Sequence, residues 1–130
     1  SELFTIRALD SCGNSSSTSL EHNSINLEAT LHACSHTIEM DWNDYINWDG
    51  GTHHYDIIVN ETTGSDPRNN IRLEGNITDF ILQNIVDACI YEIHILAYNS
   101  DSTFVAMSDQ IIFSADLPKI PDFNYITNLQ

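Results

Sequence analysis

The chain has 130 residues, 42% of them hydrophobic, with nineteen acidic against four basic side chains and a formal net charge of −15. That length suits one domain with flanking pieces, and so few cations exclude a phosphate-neutralising surface, so nucleic acid is not an expected partner. No run of about 18 apolar residues occurs, so no spanning helix and no membrane insertion are expected.

Taken in order, the opening SELFTIR carries no basic and apolar leader and reads as the interior of a larger protein. Residues 3–9 make a short strand with Phe4, Ile6 and Ala8 on one face, followed by a turn-rich stretch over 10–19. Residues 25–31 alternate, with Ile25, Leu27, Ala29 and Leu31 inside, and 32–36 form a corner. Residues 37–59 are the centre of the chain. Ile38, Met40 and Trp42 alternate with Glu39 and Asp41, and Tyr55, Ile57 and Val59 repeat the pattern after a loop holding Tyr45, Trp48 and Gly50-Gly51. Period-two alternation marks strands with one buried face.

A polar loop with Gly64 and Pro67 follows, then a short edge strand at 71–75 and a strand at 77–82 with Phe80 and Leu82 inward. After a corner at Asp87-Ala88, residues 90–97 place Tyr91, Ile93, Ile95 and Ala97 on one face. Residues 99–107 read as a hairpin loop and 108–114 as the last strand. Pro118 and Pro121 make the tail a stiff linker. Short strands at regular spacing with turns between them argue for an all-β sandwich or barrel, and the central strand pair at 37–59 suggests the two-sheet antiparallel sandwich.

A shift of 89 positions superposes Ile6 on Ile95, Ala8 on Ala97, Ser11 on Ser100 and Ser19 on Ser108. A period of that size fits tandem sandwich domains. The expected organisation is therefore a terminal hairpin remnant of a preceding repeat at 1–22, a domain at 23–117, and a linker with the start of a following repeat at 118–130. The strand at 3–9, cut from its parent, is expected to add to a sheet edge or to mediate a dimer contact.

The residues 38–42 and 55–59, with the corner and strand at 80–91, resemble the fibronectin type III family. Trp42 takes the place of its strand-B tryptophan, Tyr55 opens strand C, Tyr91 opens strand F, and Ala97 sits at the strand-F alanine. Asp87 and Cys89 depart from the usual proline and threonine of the corner. The stretch ALDSCGNSS, with Trp42, Asn43, Tyr45 and Trp48 in the later loop, resembles repeats of large Bacteroidota surface proteins linked to gliding motility and type IX secretion. The resemblance implies an immunoglobulin-like fold, an extracellular or outer-surface location, and neighbouring repeats of the same chain as partners, with a cell-surface protein or glycan beyond them. It implies a non-catalytic spacer or adhesion module.

Three cysteines are present, none in a zinc spacing, and counting alone leaves open one disulfide with an orphan or three reduced thiols. The resemblance brings Cys34 and Cys89 to the same end of the sandwich and implies a bridge between them, contributing about 4 kcal/mol. The alternative function is carbohydrate or calcium binding through the loop at 43–49. Trp48, with Tyr98, would stack on a sugar, and Asn47 and Asp49 would offer oxygens; Tyr45 is a further ligand candidate of the loop, although it stands where an EF-hand needs its first carboxylate. An accessory domain of a surface hydrolase is a further alternative. His53-His54, as neighbours on a strand, are expected to point apart and not to share an ion. No nucleophile motif, cofactor fingerprint or metal set occurs, so no enzyme activity, cofactor or metal is expected.

Overall fold

The computed structural model describes residues 2–19, 21–61 and 70–118, so the expected breaks at Gly64 and Pro67 and the tail beyond Pro118 lie outside the described residues. Among these residues ten strands form, in order β1 (Leu3–Phe4), β2 (His22–Asn23), β3 (Leu27–His32), β4 (Thr37–Trp42), β5 (His54–Glu61), β6 (Ile71–Glu74), β7 (Asp79–Leu82), β8 (Ile90–Tyr98), β9 (Val105–Met107) and β10 (Ile111–Ser114). All described pairings are antiparallel. One sheet has the order β3-β4-β7, and the other has the order β10-β8-β5-β6 with β9 also on β8.

The alternating pattern sets which face is buried. In β4, Ile38, Met40 and Trp42 are buried while Glu39 and Asp41 are exposed; in β8, Tyr91, Ile93, Ile95 and Ala97 are wholly buried. These residues join Tyr55, Ile57 and Val59 of β5 and Leu27 and Leu82 of the other sheet in one core. Trp42 meets Tyr55 edge-on, with ring centroids 5.5 Å apart. The two strands at the centre of the chain thus lie in opposite sheets and pack face to face, giving an all-β, sandwich-like architecture.

The corner before β8 is built from side chains. The Val86 amide donates to the Tyr91 hydroxyl at 2.8 Å, and the Leu117 amide donates to the Asp87 carboxylate at 2.8 Å. Asp87 therefore ties the segment that follows the last strand to the corner.

Residues 99–107 are not all loop. Val105–Met107 forms β9, and the expected strand at 108–114 starts only at Ile111. The cause is Ser108, which is 4% exposed. Its amide donates to the Ile95 carbonyl at 2.9 Å, while its hydroxyl accepts the Ile95 amide at 2.8 Å and donates to the Asp109 carbonyl at 2.9 Å. Leu96 pairs with Met107 but Ile93 pairs with Ile111, so this edge carries one residue more than β8 and kinks between β9 and β10.

The first strand is shorter than expected, and its destination differs. It joins neither large sheet but folds back on β2, with a further bridge between Leu9 and Ser15. Away from its turn, its ladder reproduces that of β8 with β10. Leu3 and Phe4 pair with Asn23 and His22 as Glu92 and Ile93 pair with Ile112 and Ile111, each position displaced by 89. The Ile6 amide donates to the Ser19 hydroxyl at 2.8 Å and the Ser19 amide to the Ile6 carbonyl at 2.8 Å, as Ile95 and Ser108 do. The turns agree in part: the Gly13 amide donates to the Asp10 carbonyl and the Ser102 amide to the Asn99 carbonyl, both Gly13 and Ser102 having positive φ. The later turn is one residue longer, since the Asp10 amide donates to the Asn14 carbonyl and the Asn99 amide to the Phe104 carbonyl. The surroundings do not agree. Ile93 and Ile95 are wholly buried, whereas Phe4 is 43% and Ile6 65% exposed.

Candidate functional site

The loop after β4 is held by its own polar side chains and by the N-terminal hairpin. Asn23, 4% exposed, donates from Nδ2 to the Asp44 carbonyl at 2.7 Å and accepts the Ile46 amide at 2.9 Å. Asn43 Nδ2 donates to the Ser24 carbonyl at 2.9 Å, and its Oδ1 accepts the Asn26 amide at 2.7 Å. Asn47, at φ 64°, donates from Nδ2 to the Glu21 carbonyl. That backbone region is uncommon outside glycine but tolerated by asparagine.

The aromatics continue the contact. Phe4, His22, Tyr45 and Trp48 form a row with successive centroid separations of 6.0, 5.6 and 4.2 Å, and the Tyr45 hydroxyl shares a 3.2 Å hydrogen bond with His22 Nδ1. Trp48 is half-buried against Tyr45 and the core, and it lines a groove of about 360 Å³ with Phe4, Ile6, His22, Tyr45 and Phe104.

Beneath the loop, Asp44 accepts hydrogen bonds from the Thr52 hydroxyl at 3.1 Å and from the Tyr55 hydroxyl. Burial and the Asp44 bond push the Tyr55 phenol up to about 12, because both disfavour the phenolate. Of the candidate ligands, Tyr45, Asn47 and Trp48 are brought together around the hairpin, while Asp49 lies exposed at the loop tip. The Asp44 carboxylate is already engaged. Among the described residues no group of three or more His, Cys, Asp or Glu is placed to hold a metal ion. The core signature residues Trp42, Tyr55 and Tyr91 are all buried.

Two expectations are corrected. No bridge joins Cys34 and Cys89. Cys34 lies exposed in the turn after β3, whereas Cys89 is 4% exposed in the core, so their side chains occupy different environments. His53 and His54 do not point apart: their Nδ1 atoms lie 2.8 Å apart, one ring donating to the other. Strand alternation does not govern this pair, because β5 begins at His54. His54 is 6% exposed and stacks on Tyr98 with centroids 4.6 Å apart, beside an open cavity of about 580 Å³ that Arg72, Glu74 and Asn76 also line. Gly75 also lines this cavity, and a Cβ there would come within 1.8 Å of the Thr52 carbonyl oxygen, so a larger residue does not fit without a backbone shift.

Sequence reasoning missed Asn23, Asn43 and His22 as members of the loop contact. Their signal was the concentration of asparagine on both sides of the joint, where side-chain amides can satisfy irregular backbone.

The fold and this joint define an all-β module of two antiparallel sheets with a hairpin gripped at one end. No protein-family model and no curated protein matches the sequence. Among solved structures, the chain is similar to the crystal structure of a pectate lyase, PelI from Erwinia chrysanthemi, in complex with tetragalacturonic acid. The similarity has a TM-score of 0.55 at 12% identity, covering 69% of this chain and 28% of the lyase chain. The likeness is one of fold, to a minor part of that protein's length.

Proposed function

We propose that the chain is a fibronectin type III-like module acting as a non-catalytic spacer and adhesion element in a tandem array on an extracellular or cell-surface protein. Support for the family comes from β4 and β5 standing in opposite sheets as its strands B and C, and from β7 and β8 standing as E and F. The Tyr91 hydroxyl receiving a backbone amide five residues upstream is the tyrosine-corner arrangement of such sandwiches.

The observation that carries the array is the N-terminal hairpin. Away from the turn its ladder is that of the module's own last hairpin displaced by 89 residues, yet the Phe4 and Ile6 side chains, whose counterparts are core, stand open. A preceding module supplies the missing cover. A net charge of −15 makes successive modules repel and favours an extended array. Adhesion or gliding motility at the outer cell surface is the setting that the family resemblance implies.

The array reading is tested by placing residues 23–91 of this chain directly before Leu3, so that the hairpin follows Tyr91 as β8 does. A second folding unit with about twice the calorimetric unfolding enthalpy is expected, since enthalpy scales with residues folded. A form carrying Phe4→Ile removes overpacking at that site. An added segment that stays unfolded in both forms overturns the reading.

A second reading is favoured by the lyase similarity together with the Tyr45–Trp48 groove: an accessory, carbohydrate-binding domain of a polysaccharide-degrading enzyme. Calorimetry with oligogalacturonates and a glycan array separate the two. Binding that Trp48→Ala abolishes supports the accessory domain, and silence across the array supports the spacer. Calcium that raises the melting temperature would restore the cation-binding alternative.

A further inference from the structure

We propose that the loop at 43–48 is a lock that fixes the angle between this module and the one before it, by gripping that module's terminal hairpin. The inference rests on the array reading and adds the partner surface and its consequence: the array is jointed stiffly, not strung on flexible linkers.

A flexible joint needs residues whose backbone is solvated and free, usually glycine and serine. The joint here has three residues, 24–26, and each is fixed. The Ser24 amide donates to the Glu2 carbonyl at 2.7 Å, its hydroxyl accepts the Glu2 amide at 2.7 Å, and its carbonyl accepts Asn43 Nδ2. Ile25 is 4% exposed and belongs to the core. The Asn26 amide is held by Asn43 Oδ1. Every residue between hairpin and sandwich is thus tied by hydrogen bonds or by burial in the core.

The grip extends beyond the joint itself. Asn23 spends both ends of its amide on the loop backbone, Asn47 reaches the Glu21 carbonyl, and Tyr45 holds His22. These contacts lie on both sides of the hairpin's second strand position, so rotation about any single bond breaks several of them. The Phe4–His22–Tyr45–Trp48 row then stiffens the first strand against the same loop. Side-chain amides suit this task because each donates and accepts at once. They discriminate by geometry without adding charge to an already acidic chain.

The test uses the 130-residue protein itself, by amide nitrogen relaxation and residual dipolar couplings. Residues of the hairpin are expected to share the alignment of β4 and β8 and to show order parameters of about 0.85, as rigid backbone does. In Asn23→Ala/Asn47→Ala the hairpin is expected to lose that common alignment and to fall below about 0.6, while β4 and β8 keep theirs. Tyr45→Phe with Asn47→Ala serves if removing the buried Asn23 unfolds the chain. A wild-type hairpin that already tumbles independently overturns the lock, as does a variant hairpin as rigid as the wild type's. Either result leaves the array reading to the two-module fusion. Conversely, a rigid hairpin with an unfolded fusion overturns the array and not the grip.

Discussion

The Ser108 hydroxyl stands in for a strand carbonyl, accepting the Ile95 amide at 2.8 Å in a site where Ile95 has no exposed surface. Ser19 accepts the Ile6 amide at the same distance, on a hairpin where Ile6 is 65% exposed. One chemistry occurs twice in different surroundings.

The pair therefore predicts unequal mutational effects. Ser108→Ala leaves the Ile95 amide buried without its acceptor and is expected to cost about 1–3 kcal/mol in a urea melt. Ser19→Ala lets water take the hydroxyl's place and is expected to change stability by less than about 0.5 kcal/mol. Equal losses at the two sites would show that the bond, not its burial, sets the effect.

Tyr55 governs the alkaline limit. Its folded pKa of about 12 lies above the ordinary 10.0, so its contribution is complete below pH 10 and is lost as pH rises towards 12. Ultraviolet titration is expected to show Tyr55 ionising only as the fold opens. Asp44→Ala removes the acceptor of the Tyr55 hydroxyl and is expected to destabilise the protein by about 1–3 kcal/mol. A phenolate count that is already complete in the native protein at pH 11 contradicts the assignment.

His54 governs part of the acid limit. Burial, followed by Arg72 and with His53 adding, holds its pKa below the ordinary 6.5, while Asp56 pulls it upward. Arg72 is itself paired in a two-point contact with Asp56 at 2.8 and 2.9 Å, and Tyr98 covers the ring face. The unfolded chain thus binds more protons than the folded one, and stability falls as pH drops below about 6.5. His54→Phe keeps the stack on Tyr98 and is expected to flatten the decline of melting temperature between pH 7 and 5. Parallel profiles for wild type and variant would assign the decline elsewhere.

The cysteines are expected to react in two classes. Alkylation of the native protein modifies exposed Cys12 and Cys34 at once and reaches buried Cys89 only on unfolding. Intact mass with and without reductant checks it: a mass two units lower before reduction would reinstate the bridge.

Much of the fold was legible because alternation in β4, β5 and β8 records directly which side chains meet the core. Ile38, Met40, Tyr55, Ile57, Tyr91 and Ile93 were read as inward and are buried. The edge at β9 was not legible. Phe104, Val105 and Met107 are more than half exposed, and an exposed edge strand carries no alternation to read; only the hydrogen bonding of Ser108 reveals the kink that divides β9 from β10.

The candidate site shows the same division. Composition and the 89-residue shift alone identified an acidic all-β chain with a second, displaced hairpin, since those properties are local or periodic and need no contacts. The loop's contacts were decided by tertiary structure. Asn23, Asn43, Tyr45 and Asn47 hold backbone groups and a ring contributed from the far side of the joint, and no pattern of spacing encodes which carbonyl a side-chain amide will reach. The same holds for the thiols and the imidazoles. Cys34 and Cys89 differ in burial, and His53 and His54 meet at their Nδ1 atoms, because side-chain direction depends on where a strand begins and on what packs over it.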